Sequence, residues 1–256
     1  MKRWNRIWPW LLFTLLLAGW AIGGDGTVDL AHRLQGPSLV HGLGTDELGR
    51  DLARRFLLGG ARSLTLGLGV TALNLGMGLL LALACHRTAT FRRLLLGIAD
   101  LLASIPATLL ALLLLALLRP GIGSLVVALV VGGWIPFARL VLNRLDVLQG
   151  EPSLAQLKLM GAGSIHRFAK HLIPRLWPLL GTQASVGLGS VVLVEGGLSF
   201  LGLGLPPHMA SWGTMLASGR TFLLVSPWGL LWPALGLLFL LLASDALRRG
   251  AEDRLG

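Results

Sequence analysis

LTLGLGVTALNLGMGLLLALA, residues Leu64–Ala84, runs for 21 residues without a charge. At about 1.5 Å of rise per residue, an α-helix of that length matches the roughly 30 Å hydrocarbon core of a bilayer. The segment is therefore read as a membrane span, and the rest of the chain fits that reading. Of 256 residues, 54% are apolar and only 13% charged, about half the charge of an ordinary soluble chain. Mean hydropathy is +0.74, yet the net charge is +10. No basic run is interleaved with aromatics, and most basic residues sit beside apolar stretches, so a membrane explains the charge better than nucleic acid does. No nucleic-acid partner is expected. One cysteine, Cys85, supports neither an internal disulfide nor a Cys-based metal site.

Outward from Leu64–Ala84, five more apolar stretches are long enough to cross: about 7–22, 94–118, 125–142, 176–194 and 228–243. The expected fold is all-α, a polytopic membrane protein of about six transmembrane helices. The first stretch follows Lys2, Arg3 and Arg6 and carries Trp4, Trp8, Trp10 and Trp20 near its ends, as at a membrane interface. A cleaved signal peptide is the alternative, but no clean Ala-x-Ala site follows, so it is read as retained. Pro106, Pro136 and Pro178 fall within or at the ends of the spans, where neighbouring helices can satisfy the freed carbonyls. Gly67, Gly69, Gly76 and Gly78 offer a small-residue face for helix packing.

The distribution of Lys and Arg orients the chain. With the N-terminus inside, segments 1–6, 85–93, 143–175 and 244–256 are cytoplasmic and hold most of the basic residues, whereas the external loops 23–62, 119–124 and 195–227 are close to neutral. Both termini are then cytoplasmic. Three parts are expected: an N-terminal helix and external loop over 1–62, a five-helix core over 63–243, and a tail over 244–256.

Several functions are disfavoured. The lysines are Lys2, Lys158 and Lys170, and none completes a phosphate-binding G-x-x-x-x-G-K-[ST] loop. Asp100 is the one ionisable residue well inside a span, a possible pathway group by default and otherwise a carboxylate near the headgroups. His166 and His171 are five apart, off a common helical face. His32, His41 and His208 are read as solvated external histidines rather than ligands. No nucleophile, base and orienting group come together, and no resident cofactor or metal is expected.

The longest cytoplasmic stretch is different in kind. After Gln149-Gly150-Glu151-Pro152 comes SLAQLKLMGAGSIHRFAKHLIPRLWP. Leu154, Leu157 and Met160, then Ile165, Phe168 and Leu172, suggest two short amphipathic helices separated by Gly161-Ala162-Gly163. Helices of that kind lie on lipid or dock a cytoplasmic partner.

GAGSIHRFAKHLIP resembles the cytoplasmic loop of the inner-membrane permeases of ATP-binding cassette importers. Gly161 matches the family glycine and Ala162 its follower, while His171, Leu172, Ile173 and Pro174 match the close of the motif. The family's Glu-Ala-Ala falls on Ala155, Gln156 and Leu157, so its glutamate is missing, and Glu151 lies one turn earlier. LGTDELGRDLARRFLLGGARSL, Leu43–Leu64, and GLSFLGLGLPPHMASWGTML, Gly197–Leu216, resemble two stretches of the dipeptide, oligopeptide and nickel subfamily, C-type subunit. Glu195 also stands where that subfamily often has a glutamate.

The resemblance implies a non-catalytic permease subunit in a bacterial inner membrane, half of a translocation pathway. Its implied partners are a second, different permease, two cytoplasmic P-loop ATPases that bind the ATP, an external substrate-binding protein and membrane lipid. Ala155, Met160, Gly161, Ala162, Gly163, His171 and Pro174 are then the ATPase-coupling residues, and Asp100 and Glu195 the possible pathway or gate residues. Residues 43–62 are expected to form an interfacial helix paired through Asp46, Glu47, Arg50, Asp51, Arg54 and Arg55. The implied substrate is nickel, a metal chelate or a short peptide, with the Gly161–Phe168 run leaning toward nickel. A secondary transporter or channel without an ATPase is the rival reading. It predicts buried charges or internal repeats, and neither is evident. A membrane anchor without transport is a third, disfavoured by the two external stretches.

Overall fold

The computed structural model describes residues 8–85, 88–119, 121–150, 170 and 173–252. Its ordered elements are helices: α1 (Trp8–Ala21), α2 (Leu52–Cys85), α3 (Ala89–Ala103), α4 (Ala107–Leu117), α5 (Ile122–Gly133), α6 (Ile135–Gln149), α7 (Ile173–Phe200), α8 (Trp212–Gly219) and α9 (Trp228–Glu252). No strand forms among the described residues, and the all-α expectation holds.

Four stretches are long and apolar enough to cross a membrane: Leu52–Cys85, Ile122–Leu148, Ile173–Phe200 and Trp228–Glu252. The expected span 94–118 is not one rod. It is the α3–α4 pair, bent by 87°, and counting that pair as one broken span gives five. The cause lies in Ser104-Ile105-Pro106: proline supplies no N–H and pushes the residue before it out of the helical region. The Ser104 hydroxyl turns back to the Leu101 carbonyl at 2.7 Å, closing α3. The described part of the first expected span, α1, is 14 residues long.

The second span begins well before Leu64. The Asp51 carboxylate accepts the Arg54 backbone N–H at 2.9 Å, an N-cap that starts α2 at Leu52. Residues 43–51 are turns rather than a helix. Likewise α7 continues past Val194 to Phe200, so that Glu195 lies within a helix.

α2 is the central strut, in contact with α1, α6, α7 and α9. Two of its four expected small residues make close contacts. A Cβ at Gly67 would meet Val192 of α7 at 2.5 Å, and one at Gly78 would meet Phe137 of α6 at 2.6 Å, while Gly69 and Gly76 face open space. Three apolar clusters result. One joins α3, α6 and the start of α7 around Leu95, Phe137, Val141 and Leu176. A second joins α1, α2, α8 and α9 around Leu12, Leu64, Trp212 and Leu240. The third joins α2, α4, α5 and α7 around Val70, Ala111, Leu125 and Val191. Large apolar side chains such as Leu80, Leu117 and Trp177 point outward, as lipid-facing residues do.

Candidate functional site

The structure brings the two subfamily-like stretches together. Ser63, next to the last residue of the first, lies on α2; Glu195 and Ser199 lie on α7; Ser211 precedes α8. The Glu195 carboxylate is fully buried and accepts three hydroxyls: Ser199 at 2.7 Å, Ser63 at 3.2 Å and Ser211 at 3.2 Å. A buried carboxylate is costly unless hydrogen-bonded, and these serines supply the bonds from three separate segments.

Each serine is itself engaged by backbone. Leu205 N–H donates to Ser199 Oγ at 3.1 Å, and Trp212 N–H to Ser63 Oγ at 3.4 Å. Ser211 Oγ accepts the Thr214 N–H at 3.1 Å while Thr214 Oγ1 accepts the Ser211 N–H at 2.8 Å, a reciprocal cap that fixes the start of α8. Trp212 is fully buried. Gly213 makes the seat: a Cβ there would stand 2.6 Å from Ser199 Cβ and 2.8 Å from Gly196 Cα.

An ionic layer adjoins this node. Arg62, one residue before Ser63, grips the Asp25 carboxylate at 2.8 and 3.0 Å and reaches the Ala210 carbonyl at 3.3 Å. Asp25 also accepts the Ala210 N–H at 2.8 Å. Partial burial pushes the Asp25 carboxyl up, but the Arg62 hydrogen bonds, the Ala210 N–H and the nearby positive charge outweigh it and hold the group below its usual range. Arg54 ties the same loop through Gly24 O and Ile22 O, each at 2.9 Å.

The charges expected to pair along an interfacial helix pair instead around a turn. Asp46, almost fully buried, accepts Leu48 N–H at 2.9 Å, Arg50 N–H at 2.8 Å and Arg50 Nε at 2.7 Å, and is bonded to Arg55 as well. The local charge spacing is real, but its product is a loop clamp anchored to the first turn of α2.

Asp100 and Glu195 do not share a site. Asp100 lies on α3 and pairs with Arg139 of α6 at 2.5 Å, with its side chain largely exposed. Arg92 and Asp146 form a second α3–α6 bridge at 2.5 Å. Of the coupling residues, Pro174 is the second residue of α7, whereas Ala155, Met160, Gly161, Ala162, Gly163 and His171 lie outside the described residues. Among the described residues no group of three His, Cys, Asp or Glu side chains is arranged to hold a metal ion. His32 and His41 instead bond Asp29 at 2.8 Å and Asp51 at 3.0 Å. Sequence reasoning singled out Glu195 but missed its serine partners and Asp25. The S-W-G-T run, which has the form of a helix cap, was the signal for Ser211; Asp25, isolated between glycines, carried none.

The arrangement offers hydroxyls, a carboxylate and backbone amides that satisfy one another, with no activated nucleophile, and so it suits fastening helices rather than bond-making. The fold resembles that of the inward-facing MetNI methionine ABC transporter, with a TM-score of 0.64 and 20% identity over 79% of this chain and 97% of that one. The chain is 35% identical to a putative peptide transport system permease protein of Brucella suis, over 95% of this chain and 82% of the relative. It is 31% identical to the oligopeptide transport system permease protein of Bacillus subtilis, over 81% and 68% respectively. The model of the binding-protein-dependent transport system inner membrane component matches residues 74–256. The chain belongs to that family: it is a non-catalytic, multi-pass permease subunit of a bacterial ATP-binding cassette importer, of the peptide and nickel group.

Proposed function

We propose that this subunit forms half of a translocation pathway for short peptides, with a second permease completing it, two cytoplasmic ATPases driving it and an external binding protein loading it. The observation that carries the reading is the Glu195 node, where the stretches Leu43–Leu64 and Gly197–Leu216, far apart in sequence, meet through Ser63, Ser211 and Trp212. A fastened, loop-rich end suits a platform that receives a delivered solute. In the orientation with both termini cytoplasmic, that end faces outward.

Peptides are favoured over nickel because the relatives described above are named peptide and oligopeptide permeases. Energy enters through the stretch around Gly161: closure of the ATPase pair pushes it and rocks the bundle between two states, a bistable element biased by a partner. The test is reconstitution of the chain with its partner subunits in lipid vesicles. Trialanine uptake that requires ATP and the binding protein supports the reading. Uptake by the lone chain driven by a proton gradient, or uptake of Ni2+ in place of peptide, overturns it.

A further inference from the structure

A cavity of about 620 Å³ between α1 and α9 is lined almost wholly by apolar side chains, and its surroundings do not select an occupant. A second, of about 240 Å³, is different. It lies among α2, α4, α5, α6 and α7 and presents Asn74, Gln183 and Ser190 within walls built from residues such as Ala111, Gly133 and Phe137. Asn74 stands midway along the Leu64–Ala84 stretch, and Gln183 and Ser190 lie in the middle of α7, so the polar groups share the mid-depth of the bundle.

Asn74 is 2% exposed, and its carboxamide oxygen has no hydrogen-bond partner. An unpaired buried acceptor costs about 1–3 kcal/mol, so a side chain that only packed helices together would be expected to bond a neighbour. Gly133 makes room for the amide: a Cβ there would stand 2.2 Å from Asn74 Nδ2. One turn earlier on α2, the Thr71 hydroxyl is also buried and unpartnered.

The lining carries no carboxylate, imidazole, thiol or basic group. A divalent cation would lose its water there without gaining charged ligands, and a charged terminus would lack a counter-ion. An uncharged amide matches what is present. It offers a C=O to the amide of Asn74 or Gln183 and an N–H to the Gln183 carboxamide oxygen or the Ser190 hydroxyl. The volume exceeds that of several waters, at about 30 Å³ each in the liquid, and accommodates a peptide unit with a small side chain.

We propose that this cavity is a solute subsite, at which Asn74, with Gln183 and Ser190, binds an uncharged peptide group of the passing substrate. The inference rests on the peptide-permease reading and adds the place and chemistry of contact. The test uses the complete importer in lipid, with Cys85→Ala and Ser190→Cys so that residue 190 carries the only thiol of this chain. Labelling of residue 190 by a small water-soluble methanethiosulfonate is timed with trialanine, with Ni2+, or with neither. Trialanine is expected to slow labelling and Ni2+ to leave it unchanged. Adding Asn74→Leu should raise the trialanine concentration for half-protection about three- to tenfold, the worth of one neutral hydrogen bond; Gln183→Leu serves as the second variant if the first does not assemble. Equal labelling with and without trialanine, protection by Ni2+, protection unaltered in both variants, or no labelling because the partner permease or immobile water seals the cavity each overturn the subsite. If the parent importer, with Ser190 and Cys85 unchanged, nevertheless takes up trialanine with ATP, the subsite alone is wrong; absent uptake by the parent removes the peptide-permease reading instead.

Discussion

The indole N–H of Trp212 donates to the backbone carbonyl of Phe56 at 3.0 Å, across 156 residues of sequence. The two rings lie 5.5 Å apart at 30°. This contact fastens the first residue of α8 to the first turns of α2, beside the Ser63–Glu195 bond. The long α2 strut and the short α8 helix are therefore joined directly at the loop end of the bundle.

Replacing Trp212 by Phe keeps most of the ring and removes the donor. The Phe56 carbonyl loses a partner and a small void opens, so thermal unfolding of the purified protein should reveal a loss of about 1–3 kcal/mol. Trp212→Ala should cost more, about 3–5 kcal/mol. Equal Tm values for Trp212→Phe and the parent would mean that the indole N–H contributes nothing to the junction.

At Glu195, Gln and Ala should behave differently. Glu195→Gln retains one acceptor oxygen for the Ser199 and Ser211 hydroxyls, whereas Glu195→Ala leaves all three serines without that partner and a cavity among them. The expected order of stability is parent, Gln, Ala, with Ala lower by at least about 2 kcal/mol. Protease cleavage in the 201–211 segment should rise in the same order. An alanine variant as resistant as the parent would show that the backbone bonds hold the segment unaided.

Asp25 gives a dependence on pH. Its carboxyl is held below the usual range by Arg62 and Ala210, so its contribution is full above the ordinary carboxylate value of about 3.9 and fades as pH falls through the lower folded value. Because the group is partly exposed, the contribution is at most about 1 kcal/mol. Asp25→Asn should thus lower stability at pH 6 and make no difference at the most acid pH at which the protein remains folded. A constant difference between the two proteins across that range would contradict the ion-pair account.

The glycines of α2 separate by neighbour. Gly67→Ala drives a methyl group into Val192 and should cost about 1–3 kcal/mol. Gly69→Ala meets nothing within 4 Å and exchanges glycine for a better helix former. Parallel thermal melts of the two variants check this. A loss at Gly69→Ala comparable with that at Gly67→Ala would place a neighbour on the face that is open in the isolated chain.

Gly67 and Gly69 also mark how far the sequence was legible. Apolar length alone identifies Leu64–Ala84 as a span, because a bilayer leaves few other structures available to it. It does not say which of two glycines two residues apart meets α7, since that depends on the rotation of α2 among its neighbours. The break at Pro106 was visible as a residue but not as a bend, for membrane helices absorb many prolines when adjacent carbonyls find partners. Glu195 was legible through its place beside a recognised stretch. Ser63 lies 132 residues away from it and was not, because a hydroxyl donor carries no spacing signal. The clamp around Asp46 came out with the right charges and the wrong backbone: i, i+3 and i, i+4 spacings serve a turn as well as a helix when one carboxylate gathers both backbone and side-chain donors.

Gly161 tests the energy path, on sequence grounds. It is the glycine on which the resemblance to the importer coupling loop is centred, and a close approach of backbone to partner at such a position leaves no room for a large side chain. Gly161→Trp should therefore leave membrane insertion and detergent Tm near those of the parent while lowering peptide uptake by the reconstituted importer at least about tenfold, the equivalent of about 1.4 kcal/mol of coupling. Copurification of the ATPases with the variant separates two causes. If they are lost, the glycine serves docking; if they remain and hydrolyse ATP without uptake, it serves transmission of the closing motion. Undiminished uptake would move the coupling contact elsewhere in the cytoplasmic stretch, with Glu151, one turn before the missing motif glutamate, as the next residue to exchange.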